Sequence, residues 1–132
     1  MPLMSLVIPI EPRTKKNSQQ IIQVHGRPII VPSKQYKAYE KACMDYILPE
    51  MREGIDTPVN VECHFYMGTK RKCDLTNLLE AIDDILVRAG VLADDNYTII
   101  AGHDGSRVGY DKECPRTVVI IKEIGEKCYE RK

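Results

Sequence analysis

The chain has 132 residues, 43% hydrophobic and 29% charged, with 19 basic side chains matching 19 acidic ones. That composition suits one folded domain with one core and excludes a disordered chain. The longest apolar runs, such as Ile29-Ile30-Val31, are too short to cross a bilayer. Zero net charge argues against a uniformly basic nucleic-acid binder, yet the charge is unevenly spread. Residues 1–39 carry Arg13, Lys15, Lys16, Arg27, Lys34 and Lys37 against Glu11 alone. Residues 74–113 carry nine acids, Asp74, Glu80, Asp83, Asp84, Asp94, Asp95, Asp104, Asp111 and Glu113, against Arg88, Arg107 and Lys112. A positive region and a negative pocket are what a metal nuclease needs; mutual neutralisation within the fold explains the same counts and stays open.

In chain order, Met4–Ile10 reads as a strand at a sheet edge, because Pro2 and Pro9 interrupt it. The start has no basic segment before an apolar stretch, so a cytoplasmic location is expected. Arg13 to Ser18 is a polar, basic loop. Ile21–Val24 and Pro28–Val31 flank His25-Gly26-Arg27, which predicts a hairpin. Ser33 is the expected N-cap of a first helix, with Tyr36, Tyr39, Cys43, Tyr46 and Ile47 at helical spacing and Pro49 as its stop.

Val59–Met67 alternates apolar and polar residues with a period of two, the mark of a half-buried strand, and puts His64 on the polar side. Gly68 breaks it, residues 75–89 read as the second helix, and Gly90 ends that helix. Tyr97–Ala101 and Thr117–Ile121 are β-branched runs read as strands, with Gly102–Cys114 a polar excursion between them. The expected fold is α+β, or mixed α/β, a single domain over 1–132 with two main helices on a small sheet. Five cysteines with no CxxC pair predict neither a disulfide framework nor a zinc ribbon. Cys43 and Cys63 read as core; Cys73, among charges, reads as exposed and reactive.

The stretch that carries chemistry runs from Lys70-Arg71-Lys72-Cys73-Asp74 through the second helix to Asp94-Asp95. On a helical wheel Leu75, Leu78, Leu79, Ile82, Ile85, Leu86 and Ala89 face the core, while Asn77, Glu80 and Asp84 cluster on the other side. Plain solvation explains that polar side equally well. Asp74 stands at the helix start, where it is free for other work if Thr76 caps instead. A tight turn accounts for one of Asp94 and Asp95 better than for both. Side chains lean toward a helix N-terminus, which carries Glu80 back toward Asp74. Carboxylates without histidine or cysteine partners suit Mg²⁺, with Mn²⁺ as a substitute. Lys70, Arg71 and Lys72 would then hold a phosphodiester, and Asn77 would orient a ligand or a phosphate.

Asp74-Leu75-Thr76-Asn77-Leu78, Asp84, Gly90 and Asp94-Asp95 resemble, in order and spacing, the RusA family of Holliday-junction resolvases. The proline-ended first strand, the Lys15-Lys16-Asn17 loop and Ser33-x-x-Tyr36 extend the resemblance over about residues 4–122. It implies a homodimeric, Mg²⁺-dependent endonuclease of phage or prophage type, acting on branched DNA in recombination and repair. Asp74 and Asp95 stand at the family's catalytic aspartates, whereas Thr76 replaces a third and Glu80 replaces a lysine. Positions 76 and 80 are one helical turn apart, so Glu80 is expected to restore the carboxylate missing at Thr76. Lys72, Lys15 or Lys16 would supply the lost cation. The expected catalytic set is Asp74, Glu80 and Asp95, with Asp84 and Asp94 as further metal ligands. DNA contacts are expected from Lys15, Lys16, Asn17, Lys70, Arg71, Lys72 and Asn77. The competing readings are a dimeric DNA-binding protein of the same fold without nuclease activity, a flap or sequence-specific nuclease, and a metal-free interaction domain.

Overall fold

The computed structural model describes residues 2–15 and 19–124. Lys16 and Asn17 lie outside the described residues. The elements are β1 (Pro2–Ile8), β2 (Gln19–Val24), β3 (Arg27–Pro32), α1 (Lys34–Met44), β4 (Val59–Met67), α2 (Leu75–Arg88), β5 (Ile100–Gly102), β6 (Arg107–Tyr110) and β7 (Arg116–Glu123), with a 3-10 turn at Pro49–Met51. The fold is α+β. β1 pairs antiparallel with β7, and β7 antiparallel with β4. β5 and β6 both run parallel to β4 along its other edge, β5 beside its start and β6 beside its end. β2 and β3 form a separate hairpin turned by His25 and Gly26, both at positive φ, the conformation a two-residue hairpin turn requires.

One face of the sheet is the core. Leu6 and Ile8 of β1, Val59, Val61, Cys63 and Phe65 of β4, and Val119 and Ile121 of β7 are buried, alternating with exposed or half-exposed neighbours. Both helices close this face: Tyr36, Tyr39 and Cys43 from α1, and Leu78, Ala81, Ile82, Ile85 and Leu86 from α2, join one cluster with the strand residues. The Ser33 hydroxyl accepts a hydrogen bond from the Tyr36 amide at 3.2 Å, the N-cap expected of it. Gly90 stops α2 at φ +81°, and its amide returns to the Val87 carbonyl. A parallel pair needs a crossover, and α2 supplies it between β4 and β5.

Several expectations are corrected. α1 ends at Met44, so Tyr46 is exposed although Ile47 is buried. Residues 97–99 turn rather than extend, because the Asn96 carbonyl accepts from the amides of both Ile99 and Ile100; only Ile100–Gly102 pairs as a strand. The polar excursion contains β6, whose four residues are exposed to solvent on their side chains and therefore show no apolar alternation. Cys73 is half-buried, and burial together with Asp74 raises its thiol pKa, which leaves it a poorer nucleophile than an ordinary cysteine.

Candidate active site

The broken edge strand beside β4 positions the site. Between β5 and β6 the chain makes a turn, with the Ser106 amide bonded to the His103 carbonyl and Gly105 at φ +86°. Two side-chain anchors fix this turn to β4. Asn60 bridges Asp104, its Oδ1 accepting from the Asp104 amide at 2.8 Å and its Nδ2 donating to the Asp104 carbonyl at 3.1 Å. The Ser106 hydroxyl accepts from the Cys63 amide at 2.9 Å, filling the rung of the ladder that the break removes. His103 is thereby held over α2.

There it meets Asp83. The imidazole Nε2 lies 2.8 and 3.0 Å from the two Asp83 oxygens. Asp83 is the one buried carboxylate among the described residues, 9% exposed. Burial raises its pKa, His103 draws it back down, and the charge of Asp95 raises it again. Thr76, Leu79, Glu80, Asp83, Asp95 and His103 line one open concavity of about 280 Å³. The helix explains the first four. At about 100° per residue, positions 76, 79, 80 and 83 fall within about 100° of each other, a stripe bordering the buried face. Asp95 arrives from the loop after α2, which is tied down by the Gly54 amide on the Gly90 carbonyl and the Ala93 amide on the Ile55 carbonyl.

The expected site residues divide into groups. Glu80 and Asp95 share the concavity. Asp74 occupies the N-cap position of α2, makes no capping bond through its side chain, and is exposed. Thr76 is the second helical residue and so is no cap. Asp84 points to the other flank, in ion pairs with Lys15 at 2.8 Å and Arg88 at 3.2 Å. Asp94 is engaged in its own loop, accepting from the Asp95 amide and from Asn96 Nδ2. Lys15 lies beside Asn77 and Glu80 in a small cleft, so the basic N-terminal loop meets the acidic helix there. Lys70 stacks its ammonium over the Tyr110 ring at 5.2 Å. Arg71 lines a second concavity of about 100 Å³ with Arg13 and Glu11, and Lys72 is exposed. Glu11 fastens this region by accepting from the Gly68 amide at 2.7 Å.

Asp83 and His103 were not expected. Asp83 had a signal, a carboxylate spaced four after Leu79 and three before Leu86 on an otherwise apolar stripe. His103 had only its place after a β-branched run.

The chain matches the family described as Endodeoxyribonuclease RusA over residues 9–122. It belongs to that family. The RusA family comprises endonucleases that act on branched DNA and resolve Holliday junctions. The match covers β4, α2 and the loop bearing Asp95, and so includes the whole concavity. No curated protein matches the chain. Among the described residues no helix is long and apolar enough to cross a membrane.

Proposed function

We propose that this chain is an active, divalent-cation-dependent endonuclease that nicks four-way DNA junctions as a homodimer, with Mg²⁺ as cofactor and Mn²⁺ as a substitute. The observation that supports it most is the gathering of Glu80 and Asp95 in one concavity beside the start of α2, within a chain of this family. The donor set is suited to a hard dication, being mainly carboxylate oxygen. Among the described residues no three His, Cys, Asp or Glu side chains stand close enough to cage an ion. Mg²⁺ does not need such a cage: it commonly takes one or two carboxylates, keeps several waters and completes its shell with phosphate oxygen. Asp95 and Glu80 would hold it, with Asp74 entering from the exposed helix start.

A bound dication supplies an acidified water and Lewis-acid polarisation of the phosphoryl group. The chain's own residues do the rest. Lys15, Arg71 and Lys72 neutralise backbone phosphates and make binding steeply salt-dependent. Asp84 keeps the Lys15 ammonium beside Glu80, within reach of a strand laid across α2. Asn77 offers an amide to a phosphate oxygen. The two-fold symmetry of a junction suits a C₂ dimer. The β2–β3 hairpin offers an apolar surface for one: Ile21 and Ile30 pair across it yet are 69% and 64% exposed. Two-stranded hairpins are marginal alone, so covering this one would stabilise it.

The test uses labelled junction, flap and linear duplex DNA with Mg²⁺, Mn²⁺ or chelator. Paired nicks in the junction alone, abolished by chelator and reduced at least about 100-fold by Asp95→Asn with binding retained, are the expected result. Junction binding with no cleavage under either cation overturns the proposal in favour of a non-catalytic DNA-binding protein, the outcome that the missing acid at Thr76 would explain.

A further inference from the structure

A buried carboxylate is costly unless something compensates for it. Asp83 is 9% exposed on a helix whose neighbouring stripe is core, and its compensation is a single imidazole nitrogen shared by both oxygens. A neutral imidazole that donates from Nε2 to a carboxylate leaves a lone pair on Nδ1. Among the described residues Nδ1 of His103 makes no hydrogen bond, and the ring lines the same concavity as Glu80 and Asp95. The turn carrying it is anchored at both ends, by Asn60 and by Ser106, so the ring is presented on a fixed support. A carboxylate that holds one ring nitrogen, and so sets the tautomer and orientation of the other, is the usual arrangement behind a metal-binding histidine.

We propose that His103, oriented by Asp83, joins Asp95 as a nitrogen ligand of a cation that keeps water and phosphate oxygen in its other positions, so that Mn²⁺ is bound more tightly than the cofactor Mg²⁺. Imidazole adds little for a hard ion such as Mg²⁺ and more for a transition ion. Asp83 thus acts as a positioning residue, and His103 supplies a donor to a concavity where Thr76 offers no carboxylate. The inference rests on the cation-site reading above.

The probe is Mn²⁺, added to the full-length protein without DNA. Isothermal titration compares Mn²⁺ with Mg²⁺, and pulsed electron spin resonance of bound Mn²⁺ reads coordinated ¹⁴N directly. The proteins are wild type, His103→Gln, His25→Gln, His64→Gln and Asp95→Asn. Gln places an amide nitrogen where His103 Nε2 stands, so it keeps a donor to Asp83 while removing the second nitrogen. The expected result is a ¹⁴N coupling in wild type, His25→Gln and His64→Gln that vanishes in His103→Gln. Mn²⁺ affinity should fall about tenfold or more in His103→Gln, and Mg²⁺ affinity much less. A Mn²⁺ site that Asp95→Asn weakens but that shows no ¹⁴N coupling overturns the inference and leaves the cation-site reading standing. Mn²⁺ binding that is absent, or indifferent to Asp95→Asn, overturns both. If His103→Gln folds poorly, a ¹⁴N coupling that survives in both His25→Gln and His64→Gln still assigns the nitrogen to His103, the chain's third histidine, and its absence from wild type overturns the inference.

Discussion

Replacing Thr76 by Asp puts a carboxylate in the first turn of α2, where this chain has none, and its consequences can be worked from position alone. Thr76 is exposed, is the second residue of α2 and lines the concavity with Glu80, Asp83 and Asp95. A negative charge in the first turn of a helix gains about 0.3–1 kcal/mol from the unsatisfied amides. The same charge four residues before Glu80 loses about 0.2–0.5 kcal/mol, and Asp83 and Asp95 add further repulsion. These contributions nearly cancel, so metal-free stability should stay within about 1 kcal/mol of wild type, a melting shift of no more than about 5 °C. Cation binding behaves differently, because every repulsion in the empty site becomes attraction once a dication is present. Affinity for Mn²⁺ or Mg²⁺ should rise at least about tenfold, or about 1.4 kcal/mol. The double variant Thr76→Asp, Glu80→Lys returns the number of carboxylates in the concavity to that of wild type and should return affinity close to the wild-type value. Titration calorimetry at fixed ionic strength, with scanning fluorimetry for stability, measures the full cycle. If Thr76→Asp and Glu80→Gln both leave cation affinity unchanged, positions 76 and 80 are not exchangeable parts of one cation site, and the idea that Glu80 replaces the missing acid is refuted.

Two further outcomes follow from the anchoring of His103. Because burial holds the Asp83 carboxyl above its ordinary 3.8, the folded chain ionises it less readily than the unfolded chain does, and stability is lost as pH rises through the raised value. Asp83→Asn has no such loss, and in metal-free buffer its stability relative to wild type should grow between about pH 4 and pH 7; urea melts across that range check it, and a relative decline would contradict the burial argument. Asn60→Ala removes both bonds to Asp104 and should cost about 1 kcal/mol. Hydrogen exchange at Asp104 and Ser106 should quicken in that variant while the β4–β7 amides remain protected.

Much of the architecture was legible from local pattern, since it rests on interactions within a few residues of each position. The alternation over 59–67 requires one buried side, the apolar stripe of α2 requires a surface to lie against, and Ser33 and Gly90 mark helix ends by their own backbone chemistry. The order and spacing of residues from Asp74 to Asp95 already resemble those of the family. Where pattern gave out, the partner was distant in sequence. β6 pairs through its backbone with β4, some forty residues earlier, so its side chains carry no periodic mark. Asp84 and Glu80 look alike on a wheel, yet Lys15 and Arg88 claim the first while the second opens toward Asp95.

Composition and periodicity determined that a small α+β domain would form around two amphipathic helices, because burying apolar surface is decided residue by residue. Only the tertiary structure decided which acids serve which end. The electrostatics of a carboxylate depend on what stands a few ångströms away, and for Asp83 that neighbour, His103, is brought by a break in an edge strand twenty residues further along the chain.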